Sequence, residues 1–300
     1  MTDFGINWWI WFNVLLVTLL LTDLKFLRRD KPSKSVWACA AWISIAALFG
    51  LLIFYAKGKT KALEFATGYI IEESLSIDNL FVFLMIFRHF HVPNAWQTKI
   101  LYYGIFGAIV MRLSLIVAGI ALIQVSHWML VFFGLFLVVT GIMMFAKQKE
   151  ITQPKPSPLV AVVKRFLPCT DTWDPEHFFV RIDGKLFATP AFLVLCTVET
   201  TDLIFALDSI PAIFAITLDP FIVYSCNALA VVGLRSLFFV FKELLEYFEY
   251  LHYGVSLILI FIGTKMVISP FYQIATATSL AVVATILLTS MLIPKKRGVG

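Results

Sequence analysis

The chain has 300 residues, 60% of them hydrophobic and 14% charged, with 29 phenylalanines and a formal net charge of +5. A soluble domain carries about 45–50% apolar and about 25% charged residues, so this balance excludes a disordered chain, a coiled coil and an ordinary soluble enzyme. Four cysteines without CxxC spacing exclude a small disulfide-stapled domain.

Nine apolar runs, each near the ~20 residues a transmembrane helix needs, follow one another. They are Ile6–Asp23, Val36–Ala56, Ala66–Phe87, Ile100–Gln124, His127–Ala146, Phe187–Ile216, Phe221–Phe241, Tyr253–Ile268 and Ala275–Ile293. The runs are continuous rather than alternating, which favours helices over barrel strands. The expected fold is an all-α polytopic membrane protein of about nine spans, a single transmembrane domain over 1–300. The first run has Asp3 and no Lys or Arg ahead of it, and Trp8, Trp9 and Trp11 at its outer end. It reads as an anchored span rather than a cleaved signal peptide.

Eighteen Lys and Arg residues fall in the first, third, fifth and seventh connections and the tail, against Lys57, Lys59 and Lys61 on the other side. The positive-inside rule places the N-terminus out and the C-terminus in. The net charge is therefore topological; the bilayer is the expected partner, and nucleic acid is not.

The third and sixth spans repeat a pattern. Glu72-Glu-Ser-Leu-Ser-Ile-Asp78-Asn79 matches Asp202-Leu-Ile-Phe-Ala-Leu-Asp208-Ser209. The next spans match in the same order, Arg112 with Arg235 and Gly141 with Gly263. Units of three spans are odd in number, so the second starts from the opposite side. This predicts a 3+3 inverted repeat of the kind secondary transporters use. The repeats cover 66–146 and 187–270, joined by a cytoplasmic loop, 147–186. Residues 1–60 hold two peripheral spans, and 275–293 the last.

The same two spans carry Glu72, Glu73, Asp78, Glu199, Asp202 and Asp208. A carboxylate at a helix centre costs ~2.5–3.5 kcal/mol on insertion scales and marks ion pathways. Glu72 with Asn79, and Asp202 with Ser209, are seven apart and share a helix face. Glu199 adjoins Asp202, while Asp78 and Asp208 sit about 100° away. A break near Asp208–Pro211 would bring them in, because Pro211 cannot bond to Leu207. Oxygen donors of this kind suit Mg²⁺, Ca²⁺ or Mn²⁺. Arg112, Arg235 and Lys265 offer the competing role of structural ion pairs, the two arginines acting as clamps for the acids. Cys196 and Cys226 read as packing residues.

With these residues in view, the chain resembles the TerC family, in its Alx-like branch. The resemblance rests on Gly68–Phe83, Glu176-His-Phe-Phe-Val-Arg181, Val198–Phe214 and the Gly-Leu-Arg of 233–235. It implies manganese efflux, a link to tellurium resistance, and a bacterial inner (plasma) membrane. It also implies a metal site of Glu72, Asp78, Asn79, Glu199, Asp202 and Asp208, leaving Glu73 outside. The expected function is export of a divalent cation, Mn²⁺ by the resemblance, between spans three and six, with proton exchange as the coupling. No resident cofactor and no enzymatic activity are expected, and no P-loop is present. The alternative is a non-transporting scaffold that recruits a cytoplasmic partner through 147–186. Within that loop Gln153–Pro158 reads as an extended connector, and Glu176–Arg181 as a packed strap, a pore cover or a regulator site.

Overall fold

The computed structural model describes residues 4–26, 32–126, 128–146, 165, 167–170, 172–174, 176–182, 184–244, 251–272 and 274–292. The side chains of Ile77, Asp78 and Phe81, and the connector Gln153–Pro158, lie outside the described residues.

Among the described residues there are nine helices, at the positions of the nine apolar runs: α1 (Ile6–Phe26), α2 (Pro32–Lys57), α3 (Lys59–His89), α4 (Asn94–Val125), α5 (Trp128–Ala146), α6 (Pro190–Phe214), α7 (Pro220–Leu244), α8 (Leu251–Ile268) and α9 (Thr276–Leu292). By length and composition α2, α4, α5, α6 and α7 can cross a membrane. The apolar parts of α1, α8 and α9 are shorter, and α3 is long but carries Glu64, Glu72, Glu73 and Asp78.

Short connections make neighbouring helices antiparallel. Gly58 alone separates α2 from α3, at φ 88°, a conformation that glycine adopts without steric cost. The hub is α7, buried at every residue from Phe221 to Ser236, as expected of a helix apolar on all sides. α1, α2, α3 and α4 all pack on it. Phe221 sits in an aromatic nest of Phe4, Trp8, Trp9 and Phe12. Trp8 and Trp9 thus dock α1 on α7, and Trp11 alone of the three is exposed.

Further contacts link α3 with α6, α7 and α8, and α6 with α4 and α5. The most extensive contact is α5 with α8. There Gly134 faces Gly263, and Gly141 faces the Ser256 carbonyl. Backbones this close leave no room for side chains.

Two expectations need correction. Helix α6 starts at Pro190, not Phe187. Pro fits the first helical position because its missing N–H needs no partner there. Phe187 and Ala188 instead pair with Val180 and Phe179 in an antiparallel hairpin, β1 (Phe179–Ile182) and β2 (Lys185–Ala188). The fold is therefore helical with one small sheet. Second, α6 runs unbroken through Pro211. The lost bond to Leu207 lies one turn from the helix end, and the buried run Ile210–Phe214 holds that turn in place.

The hairpin belongs to a strap at the end of the bundle where α4 and α6 begin. Trp96 donates its indole N–H to the Asp174 carbonyl at 2.8 Å and packs on Phe178. Thr189 Oγ1 donates to the Phe178 carbonyl at 3.0 Å. The Glu176 and His177 amides donate to the Asp174 carboxylate at 2.8 and 2.6 Å. Those bonds hold Asp174 below the usual carboxylate range. Glu176–Arg181 is thus part of a packed strap.

At the opposite end Lys61 bridges Glu64 and Asp219 at 3.1 and 3.3 Å, and Thr217 donates to Glu64 at 2.7 Å. Asp219 also accepts from the Phe221 amide and so caps α7. This clamp ties the start of α3 to the turn between α6 and α7.

A Cβ at Gly263 would lie 2.6 Å from the Gly134 carbonyl oxygen and 2.8 Å from the Val138 nitrogen. Gly263→Ala should therefore destabilise the protein by about 1–3 kcal/mol. The check is a lowered Tm for the detergent-purified chain, beside Gly5→Ala, where nothing lies within 4 Å, as the unchanged control.

Candidate functional site

Three helices bring their charges together at mid-length. Arg112 of α4 is 2% exposed, Glu72 of α3 1% and Asp202 of α6 3%. The guanidinium grips Asp202 with two parallel bonds, Nε to Oδ2 at 3.1 Å and Nη2 to Oδ1 at 3.0 Å. Its Nη1 donates to Glu72 Oε1 and, at 3.2 Å, to Asn227 Oδ1 of α7. A fork of this geometry is among the strongest hydrogen-bonded pairings a carboxylate makes.

The triad does not use every oxygen. Glu72 Oε2, Glu199 Oε2, Ser209 Oγ and Asn227 Nδ2 are buried without a hydrogen-bond partner among the described residues. Beside Glu199 a cavity of about 20 Å³ opens between α3, α4, α6 and α7, lined also by Asp202 and Arg235. That is room for one water-sized occupant. Gly104 is part of the cavity wall. A Cβ at Gly107 would fall onto the Glu199 carboxylate, and one at Gly104 would lie 3.7 Å from it. The two glycines let Glu199 nest against the α4 backbone.

The predicted residues divide accordingly. Glu72, Asp202 and Arg112 meet directly, and Glu199 and Arg235 line the adjoining cavity. Asn79 is buried on α3. Asp208 lies apart, within hydrogen-bond reach of Thr140 on α5. Asp78 is on α3, its side chain outside the described residues. Among the described residues no three His, Cys, Asp or Glu side chains stand close enough together to hold a metal ion; Arg112 takes the centre of the cluster. Chemically, the carboxylates of Glu72, Glu199 and Asp202 are hard oxygen donors. Glu73 points elsewhere, near Gly233 and Trp42. Sequence reasoning missed Asn227, Gly104 and Gly107. Asn227 was visible as a lone amide in an apolar span, but the glycines carried no signal apart from their smallness.

Residues 57–297 match the family described as integral membrane protein TerC family. The chain belongs to the TerC family. A relative in Escherichia coli (strain K12), named "Putative membrane-bound redox modulator Alx", is 43% identical over 95% of this chain and 93% of its own length. A relative of the same name in Salmonella typhi is 43% identical over 95% and 92%. An uncharacterized membrane protein of Myxococcus xanthus is 40% identical over 93% and 89%. No solved structure matches the chain. The chain is accordingly an integral membrane protein, as its apolar helices require.

Removing one partner from a buried ion pair strands the other charge, at a cost of about 3–5 kcal/mol. Asp202→Ala should lower stability by that order, while Glu199→Gln, which breaks no ion pair, should leave it nearly unchanged. Thermal melts of the two purified variants check this.

Proposed function

We propose that this TerC-family chain is a secondary transporter that exports a divalent cation through the Glu72–Asp202–Glu199 cluster. The observation that carries the reading is the buried Glu199 Oε2, without a hydrogen-bond partner among the described residues, in a cavity that Asp202 also lines. Buried acceptors without partners are costly, and a visiting cation is the ligand that uses them. Mn²⁺ is the cargo the family resemblance implies, and protons are the proposed counter-ion. Moving a redox-active cation also accords with the redox role in the relatives' name.

The contact pattern supports a two-unit architecture. Aligning α3, α4 and α5 with α6, α7 and α8 pairs the α3–α7 contact with α6–α4, and α3–α8 with α6–α5. Under the Gly141–Gly263 alignment, Gly134 corresponds to Ser256. The contact of Gly134 with Gly263 is then the counterpart of that between Gly141 and Ser256. Such exchange is what an in-plane pseudo-two-fold axis requires. Nine spans, with the N-terminus out, complete the proposal.

The test is Mn²⁺ efflux from sealed vesicles holding the purified wild type or its Asp78→Asn, Asp202→Asn and Glu199→Gln variants, with Mg²⁺ and Ca²⁺ as competitors. Wild-type efflux that responds to an imposed pH gradient, and falls by about tenfold or more in Glu199→Gln, is the expected result. A wild type that moves no Mn²⁺ under any gradient would turn the reading to the scaffold role of 147–186.

A further inference from the structure

Arg112 occupies the position that the cargo needs. Both Asp202 oxygens and one Glu72 oxygen are committed to the guanidinium. A divalent cation takes carboxylate oxygens at about 2.0–2.6 Å and repels a second cation at the same oxygens. Cargo and guanidinium therefore cannot share the Asp202 carboxylate, both of whose oxygens the fork already takes.

We propose that Arg112 is a tethered stand-in for the cargo: it neutralises Glu72 and Asp202 while the transporter is empty, and the cation displaces it. The inference rests on the transport reading above and adds how the empty carrier returns. Three features support it. The cavity adjoins Asp202 directly and offers Glu199 as a first contact for an entering cation before Arg112 lets go. Asn227 Oδ1 already accepts from Nη1 and can keep the guanidinium after Asp202 is released. The guanidinium keeps its charge at every physiological pH, so the stand-in is always available.

The physical gain is in the return step. Two bare carboxylates at the middle of a membrane helix bundle would oppose the motion that carries them from one side to the other. With Arg112 seated, the empty site carries one negative charge fewer and all of Asp202's oxygens are bonded. Exchange of one cation for another never passes through the empty state, whereas net efflux passes through it every cycle. Arg112 should therefore matter to net efflux far more than to exchange.

The full-length chain is reconstituted in liposomes loaded with radiolabelled Mn²⁺. Efflux is followed into Mn²⁺-free medium and, separately, into medium containing unlabelled Mn²⁺. In Arg112→Gln the ratio of exchange to net efflux should rise by about tenfold, within the range of coupling between ligands that compete for two states. Arg112→Lys, which keeps the charge but not the fork, should fall between. Millimolar guanidinium should restore net efflux in Arg112→Ala, where the space is open. A parallel fall of both modes in a monodisperse Arg112→Gln, or an unchanged ratio, overturns the proposal and makes Arg112 a structural pin. If Arg112→Gln does not fold, the ratio in Arg112→Lys decides the question alone, with no change counting against the proposal. A wild type silent in both modes defeats the transport reading itself, an outcome distinct from either of these.

Discussion

A guanidinium held between two carboxylates inside a helix bundle sets the terms for everything around it. Arg112 joins α4 to α3 through Glu72, to α6 through Asp202 and to α7 through Asn227. A charge in an apolar medium is tolerated only with its partners in place. Those four helices must therefore keep their registers, and the neighbouring polar atoms inherit fixed positions. Glu199 is held one helical turn from Asp202, against the bare backbone of Gly104 and Gly107. Glu199 lines one small cavity together with Asp202 as a consequence of that pinning.

The rest of the molecule encloses this cluster. At one end the strap packs Phe178 and Trp96 over the starts of α4 and α6. At the other, Lys61, Glu64, Thr217 and Asp219 close the start of α3 on the α6–α7 turn. Between them α5 and α8 meet at glycines, with backbone against backbone. Small residues of this kind let two helix backbones approach closely. Arg112 is a buried polar tie between four helices at the centre.

The helices were legible because each apolar run is long and continuous, and all nine fall where expected. The role of α7 as the buried hub was not, since its apolar run resembles those of helices that face lipid. The hairpin had a signal in Asp183-Gly184, a favoured two-residue turn, but the apolar Phe187–Ala188 merged with the helix behind it. Pro211 misled because a proline near a helix end removes a single bond, and packing of Ile210–Phe214 outweighs it. In the site, the surplus of acids over bases within the spans pointed to Arg112 as a clamp, and in the structure it bonds Glu72 and Asp202. The convergence of Asp208 with them did not follow, because it depended on the break that α6 lacks. The cavity, and the nesting of Glu199 against Gly104 and Gly107, arise from tertiary packing, which no local pattern encodes.

The central claim is that a divalent cation and Arg112 compete for Glu72 and Asp202. A structure of the purified protein grown with Mn²⁺, with anomalous diffraction collected at the manganese edge, addresses it most directly. The account predicts one anomalous peak within coordination distance of Asp202 and Glu199, with the guanidinium withdrawn from Asp202 toward Asn227. A peak elsewhere, or none at saturating Mn²⁺ with the Arg112–Asp202 fork intact, would contradict it.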